Sequence, residues 1–214
     1  MAIKVYGSMY SAATLRVLLC LAEKDLDFEL INVDLASGEH KMPHMLARNP
    51  FGQIPAFEDG DVKLFESRAI SQYISTKYAD RGTELINKDP KKAAEESVWI
   101  QVESLKFEPV MGALAWELRM KPLLLGMKGD KAIVKKEKKV LENLLDVYEE
   151  RLRESKYVGG DSFSLADMYH IVLIKFLMDT EIREVFDARS HLSAWVKSLF
   201  ARPACVKVFG VLAH

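Results

Sequence analysis

The spacing of apolar residues changes several times within the first eighty positions. Ile3–Tyr6 is a short β-branched and aromatic run with the composition of a strand. Leu15, Leu18, Leu19 and Ala22 then recur at i, i+3, i+4 and i+7, which predicts a helix over residues 12–24. Phe28–Val33 returns to strand composition, and a polar, irregular segment follows from Asp34 to Gly52. Ala56-Phe57-Glu58 and Asp61–Phe65 flank Asp59-Gly60, a dipeptide suited to the positive φ of a two-residue hairpin turn. Ile70, Tyr73, Ile74 and Tyr78 form a second helical stripe, with Ser67 as a candidate N-cap. Strand, helix, strand, irregular segment, hairpin, helix is the order of a thioredoxin-like α/β domain, although periodicity alone leaves other α/β folds open.

Beyond residue 90 the strand signals stop. Asp80–Pro90 is polar and contains Gly82 and Pro90, so the domains are expected at 1–81 and 90–214. Asp89-Pro90 reads as N-cap and first helical position. Phe107, Val110, Met111, Leu114 and Leu118 follow at helical spacing, with Pro109 expected to kink or divide the run. Leu141, Leu144, Leu145, Tyr148 and Leu152 make another stripe. Residues 165–178 are apolar almost all round, as in a buried helix, and Ser164–Asp167 has the form of a capping box. Leu192, Trp195, Val196, Leu199 and Phe200 form the last stripe. The expected fold is an α/β domain followed by an all-α helical bundle.

Composition narrows the function classes. Of 214 residues, 49% are apolar and 29% charged, as in a globular protein. A net charge of −1 lacks the basic excess that nucleic acids select. Cys20 and Cys205 belong to no CxxC pair and make no disulfide framework, which fits a reducing compartment. With no signal-like apolar core at the N-terminus and no run of ~20 apolar residues, a soluble cytosolic protein is expected. His40 and His44 are four apart but lack a third ligand, so no metal is expected. No GxGxxG, Walker or HExxH motif occurs.

Four segments could carry chemistry. Gly7–Ser11 joins the first strand to the first helix, where a serine hydroxyl and the helix N-terminus together favour a bound thiolate; Ser11 could equally be a plain N-cap. Asn49-Pro50-Phe51-Gly52-Gln53-Ile54-Pro55 precedes a hairpin strand expected at the sheet edge. A cis Ile54–Pro55 bond there would let Ile54 offer its backbone to an extended, peptide-like ligand, the alternative being a rigid turn. Glu66 and Ser67 at the start of a helix suit the ammonium and carboxylate of an amino-acid head, though acidic residues and serine are common there. Glu39-His40-Lys41 could meet a second carboxylate. Lys135–Lys139 reads as a solvated helix face.

Arg48-Asn49-Pro50-Phe51-Gly52-Gln53-Ile54-Pro55-Ala56, Glu58-Asp59-Gly60-Asp61 and Leu64–Ile70, with Gly38–Lys41 and Ser164–Asp167, come in the order and spacing of one family. Over essentially its whole length the chain resembles the glutathione S-transferases, specifically the phi class of plants. The resemblance implies that the Ser11 hydroxyl hydrogen-bonds the glutathione sulfur, with Ala12 beside it. His40 and Lys41 would meet the glycine carboxylate, Gln53, Ile54 and a cis Pro55 the middle of the tripeptide, and Glu66 and Ser67 the γ-glutamyl end. Many relatives carry threonine where Ala12 stands, so no neighbouring hydroxyl would replace Ser11. Tyr6 and Tyr10 are rival thiol activators, ranked below Ser11. An apolar electrophile pocket is expected between the domains, with Ala12, Leu35, Met111 and Leu118 as candidates.

The resemblance further implies a homodimer, for which the sequence offers only apolar and aromatic residues such as Trp99, with glutathione as co-substrate and no permanently bound cofactor. The leading expectation is conjugation of glutathione to hydrophobic electrophiles, with reduction of organic hydroperoxides as a further activity. A ligandin that carries apolar molecules without turnover is the alternative, and a scaffold module a third.

Overall fold

In the computed structural model, which describes residues 2–210, the N-terminal sheet is built from β1 (Ile3–Gly7), β2 (Phe28–Asn32), β3 (Ala56–Asp59) and β4 (Val62–Phe65). The order is β2-β1-β3-β4. β1 runs parallel to β2, with Ile3 opposite Phe28, and antiparallel to β3, with Val5 opposite Phe57. A parallel pair needs a crossover, which α1 (Ala12–Glu23) supplies. The expected edge position falls to β4, because β3 is paired on both sides.

The β3–β4 register places Asp59 opposite Val62, so the two-residue turn is Gly60-Asp61, one position later than the Asp59-Gly60 signal suggests. Gly60, at φ 68°, supplies positive φ at the first turn position. Asp59 thereby becomes a paired strand residue. Its buried carboxylate accepts from the Tyr73 hydroxyl (3.1 Å), Lys77 Nζ (2.7 Å) and the Tyr78 hydroxyl (2.8 Å), which tie the hairpin to the following helix. The segment between Asp34 and Gly52 is more ordered than its composition predicts. It contains a 3₁₀ turn at Glu39–Lys41 and the short α2 (Pro43–Leu46), whose Met45 packs with Tyr6, Val33 and Ala56.

The chain divides into two compact units: the stretch up to Ile86 together with the segment that starts at Arg202, and Asn87–Ala201. That grouping departs from the expected 90–214 span of the helical domain. α1 is buried continuously from Thr14 to Leu21 and packs against α3 (Ser67–Lys77) on one side and α12 (Pro203–Gly210) on another. Ala204, Cys205, Val208 and Phe209 form the buried face of α12. Arg202 adds a bidentate grip on the Glu23 carboxylate, with Nε and Nη2 each at 2.6 Å.

The second unit is helical among the described residues. α4 (Pro90–Val102) is capped by Asp89 Oδ1, which accepts from the N–H groups of Lys91 and Lys92 at 2.9 and 3.1 Å. It passes through a π-helical turn at Glu103–Phe107 into α5 (Glu108–Ala115), and a second π turn at Trp116–Met120 leads to α6 (Lys121–Leu125). Pro109 and Pro122 each follow one of these turns. The wider turn accommodates a ring that lacks an N–H and crowds the carbonyl four residues back. α7 (Lys131–Glu154) buries Leu141, Leu145, Tyr148 and Leu152. The apolar stretch 165–178 forms α8 (Leu165–Met168) and α9 (Ile171–Leu177), with a break at Tyr169-His170. His170 Nδ1 lies 2.7 Å from the Ala166 carbonyl and donates to it, which leaves Nε2 to accept from the Tyr148 hydroxyl at 2.9 Å. α10 (Arg183–Asp187) and α11 (Ser190–Phe200) complete the unit. Asp167 closes the Ser164 capping box and also accepts from Val158 N–H and Trp195 Nε1–H at 2.9 Å each. Burial outweighs these bonds and pushes its carboxyl up to about 6.

Candidate active site

Ser11 is the N-cap of α1, with φ −96° and ψ 119°. Its Oγ accepts from Thr14 N–H at 3.2 Å, and its own N–H donates to the Ser8 carbonyl at 3.0 Å. The hydroxyl hydrogen is not consumed by the cap, so a partly exposed donor stands at the positive end of a twelve-residue helix. The rival tyrosines are placed differently. The buried Tyr6 hydroxyl donates to Glu58 Oε2 at 2.9 Å and accepts from Arg48 Nη2 at 3.1 Å, while the Arg48 guanidinium lies 4.2 Å from its ring centroid. Tyr10 is 66% exposed.

A cavity of about 500 Å³ opens in the first unit. Its walls bring together His40, Lys41, Gln53, Ile54, Pro55, Glu66 and Ser67, all expected in one site, and Leu35 joins them. Ser11 and Ala12 do not line it; Ala13, on the same first turn of α1, does. The Ile54–Pro55 bond is cis. His40 Nδ1 is buried without a hydrogen-bond partner among the described residues. Glu66 has φ 69°, rare for a residue with a side chain and a sign that its surroundings hold it there. Ser67 is the first residue of α3 and does not cap it, contrary to expectation. Its Oγ accepts from Arg16 Nη1 at 2.7 Å.

The other pocket candidates separate. Met111 is fully buried on α5 beside Val110 and Leu114, a packing position. Leu118 lines a different cavity, about 770 Å³, within the helical unit. No cluster of three His, Cys, Asp or Glu side chains suited to a metal occurs among the described residues. Nor is any helix among them long and apolar enough to cross a membrane.

Residues 1–76 match the family model for the glutathione S-transferase N-terminal domain, and residues 107–203 that for the C-terminal domain. Glutathione S-transferase APIC of Nicotiana tabacum is 58% identical over 97% of both chains. The chain belongs to the glutathione S-transferase family, in its plant phi class. Among solved structures, glutathione transferase F7 from Populus trichocarpa superposes on this transferase with a TM-score of 0.94, at 44% identity over 98% of each chain. Glutathione S-transferase I from mais, solved in complex with an atrazine glutathione conjugate, gives 0.92 at 35% identity over 100% of this chain and 99% of its own.

Asn49 and Gly52, which line the transferase's cavity, and Arg16, behind its Ser67, have roles that the sequence motifs do not assign. Asn49, 2% exposed, donates from Nδ2 to the Gln53 carbonyl (2.9 Å) and accepts at Oδ1 from Phe51 N–H (3.0 Å), which fixes the loop between them. Gly52 has φ 56°, and a Cβ there would meet Lys41 Cδ at 2.7 Å and the His40 carbonyl at 3.0 Å. Lys41 therefore lies across Gly52, where its Nζ donates to the Phe51 carbonyl at 2.9 Å. The third is Arg16. An arginine amid Leu15, Val17, Leu18 and Leu19, on a helix with no polar face, is a sequence signal for a buried charge with an assigned partner.

Proposed function

We propose that this transferase holds glutathione in the 500 Å³ cavity of its first unit and presents the sulfur to Ser11, which favours its thiolate for attack on apolar electrophiles. Ser11 is the observation that carries the reading: its acceptor face is occupied by Thr14 N–H, which leaves the O–H to donate. Glu66 takes the γ-glutamyl ammonium and Ser67 the adjacent carboxylate. Gln53 and the backbone of Ile54, just ahead of β3, hold the middle of the tripeptide, with Pro55 beside it. His40 and Lys41 meet the glycine carboxylate. Leu35 and Ala12 offer apolar surface to the electrophile.

A free thiol has a pKa of ~8.5, so only a few per cent is ionised at neutral pH. One charge-assisted hydrogen bond of ~1.5–3 kcal/mol lowers that by one to two units, and the helix N-terminus adds ~0.3–1 kcal/mol. Ser11 acts as a donor to the nucleophile and forms no covalent bond itself. The same thiolate can cleave an organic hydroperoxide: attack on the peroxide oxygen releases an alcohol, and a second glutathione converts the resulting sulfenic acid to disulfide and water. Family membership supports a homodimer working in the cytosol, with glutathione as co-substrate and no resident cofactor. The test is an ultraviolet titration of the thiolate of bound glutathione, in the wild type and in Ser11→Ala. A wild-type pKa at least one unit below free glutathione, lost in Ser11→Ala, is expected. An unshifted thiol in the wild type favours a ligandin that binds without turnover.

A further inference from the structure

Arg16 is the largest fully buried side chain of the described residues, 1% exposed beneath the wall of the glutathione cavity. Its guanidinium cannot shed its proton, so a permanent positive charge sits inside the first unit. Nη1 donates to Ser67 Oγ at 2.7 Å, across 51 positions of sequence, and both residues are buried. That bond fixes the polarity of the serine. With Oγ accepting from a cation, its hydrogen is polarised and directed away from Arg16. The Ser67 carbonyl is engaged separately, accepting from the Ser71 hydroxyl at 2.8 Å. As the first residue of α3, Ser67 also keeps its N–H outside the helix's own hydrogen-bond ladder. Ser67 thus presents donors to the cavity, backed by a charge one hydroxyl away.

We propose that Arg16 is a positioning residue for glutathione: acting through Ser67, it locks the hydroxyl as a donor and places a buried positive charge behind the γ-glutamyl carboxylate. The inference rests on the reading of the cavity as the glutathione site. Arg16 touches no ligand atom in this scheme, and it selects for the carboxylate, leaving the sulfur and the electrophile to other groups. Aspartate or phosphate at that end of a ligand could exploit the same charge, whereas an uncharged end would leave it unused.

The discriminating probe is a glutathione analogue lacking only the γ-glutamyl α-carboxylate, 4-aminobutyryl-cysteinylglycine. Dissociation constants for glutathione and the analogue are measured with wild type, Ser67→Ala, Arg16→Met, Arg16→Lys and the Arg16→Met/Ser67→Ala double variant, alongside KM and kcat with a chlorodinitrobenzene electrophile. Arg16→Met is expected to raise KM for glutathione about tenfold and to shrink the preference for glutathione over the analogue by the same factor. The electrophile KM, and kcat at saturating glutathione, should stay within about twofold. Arg16→Lys restores part of the preference, and the double variant discriminates no worse than the poorer single one, because the two residues act as one unit. A merely structural arginine would weaken both thiols equally and leave their ratio intact; that outcome, or additive losses, overturns the proposal. Where Arg16→Met fails to fold, Arg16→Lys against Ser67→Ala carries the same comparison. If Ser67→Ala itself leaves the ratio unchanged, the carboxylate assignment fails and the role of Arg16 falls with it, whereas a ratio moved by Ser67→Ala and untouched at Arg16 overturns only the positioning role.

Discussion

Removing the Ser11 hydroxyl should damage this transferase in two separable ways. The chemical loss is the hydrogen bond to the thiolate, ~1.5–3 kcal/mol, which returns the bound thiol to within about a unit of its free pKa. At pH 6.5 a thiol of pKa ~8.5 is about 1% ionised and one of pKa ~7 about 24%, so turnover in Ser11→Ala should fall roughly 10- to 50-fold. The loss should shrink to less than about 1.5-fold near pH 9, where about 76% and 99% of the two thiols are ionised. The structural loss is the cap: Oγ accepts from Thr14 N–H at 3.2 Å, and alanine at an N-cap costs ~1 kcal/mol where glycine costs a few tenths. Ser11→Ala and Ser11→Gly therefore share the chemical defect and differ in the structural one. Steady-state conjugation rates from pH 6 to 9, with urea unfolding of each variant, should show matching pH–rate profiles and unequal stabilities. Tyr6→Phe, whose hydroxyl is committed to Glu58 and Arg48, should lose stability and keep its profile. If Ser11→Gly keeps the wild-type profile, or Tyr6→Phe loses it, the assignment of the activating hydroxyl is wrong.

Gly52→Ala would strain a residue at φ 56° and push its Cβ against Lys41, so KM for glutathione should rise severalfold while the electrophile KM holds; equal changes in both would refute a local effect. Asp167, whose buried carboxyl is pushed up to about 6 from 3.8, binds its proton more tightly in the folded state. Its contribution to stability is full below pH ~4 and is lost as pH rises through ~6, a swing of ~3 kcal/mol. Urea unfolding should show wild type gaining on Asp167→Asn as pH falls from 6.5 to 4.5, and a constant gap would contradict the shift. Cys20 is fully buried and its thiol is pushed up to about 12 by burial, so aromatic disulfide reagents should label it only as fast as the chain unfolds. Labelling of the native protein within minutes, read by mass, would count against that.

Period-2 and period-3.6 patterns place β1, β2, α1 and α3 close to their observed spans, whereas the stripe at 141–152 marks only the second half of α7, whose first ten residues are mostly charged and exposed. Where the sequence misled, the cause was a choice among local signals. Asp59-Gly60 is a good turn dipeptide, but Asp59 is worth more as the anchor for Tyr73, Lys77 and Tyr78, so the turn moved to Gly60-Asp61. Ser67 reads as a cap because serine often is one, and nothing in its local sequence points to an arginine 51 residues earlier. Seven of the nine residues expected around glutathione do share a cavity, since the segments that carry them leave β2, enter β3 and leave β4 at one end of the sheet. Apolar periodicity shows that a face will be covered and is silent about what covers it. Hence in sequence Met111 reads as no less available to an electrophile than Leu35, and α12 reads as part of the helical bundle.

The grip of Arg202 on Glu23 also constrains how the protein is made. The two residues lie 179 positions apart, and Thr83 bonds to Glu23 between them in sequence. At ~5–20 residues per second, a ribosome needs roughly 10–35 s to travel from one to the other. During that interval α1 has its sheet and α3 but lacks α12, and the flank that Ala204, Val208 and Phe209 will cover stays wet. The helical unit, whose last residue is Ala201, is fully synthesised before the first unit receives its final helix. The half of the molecule translated first is thus the half finished last.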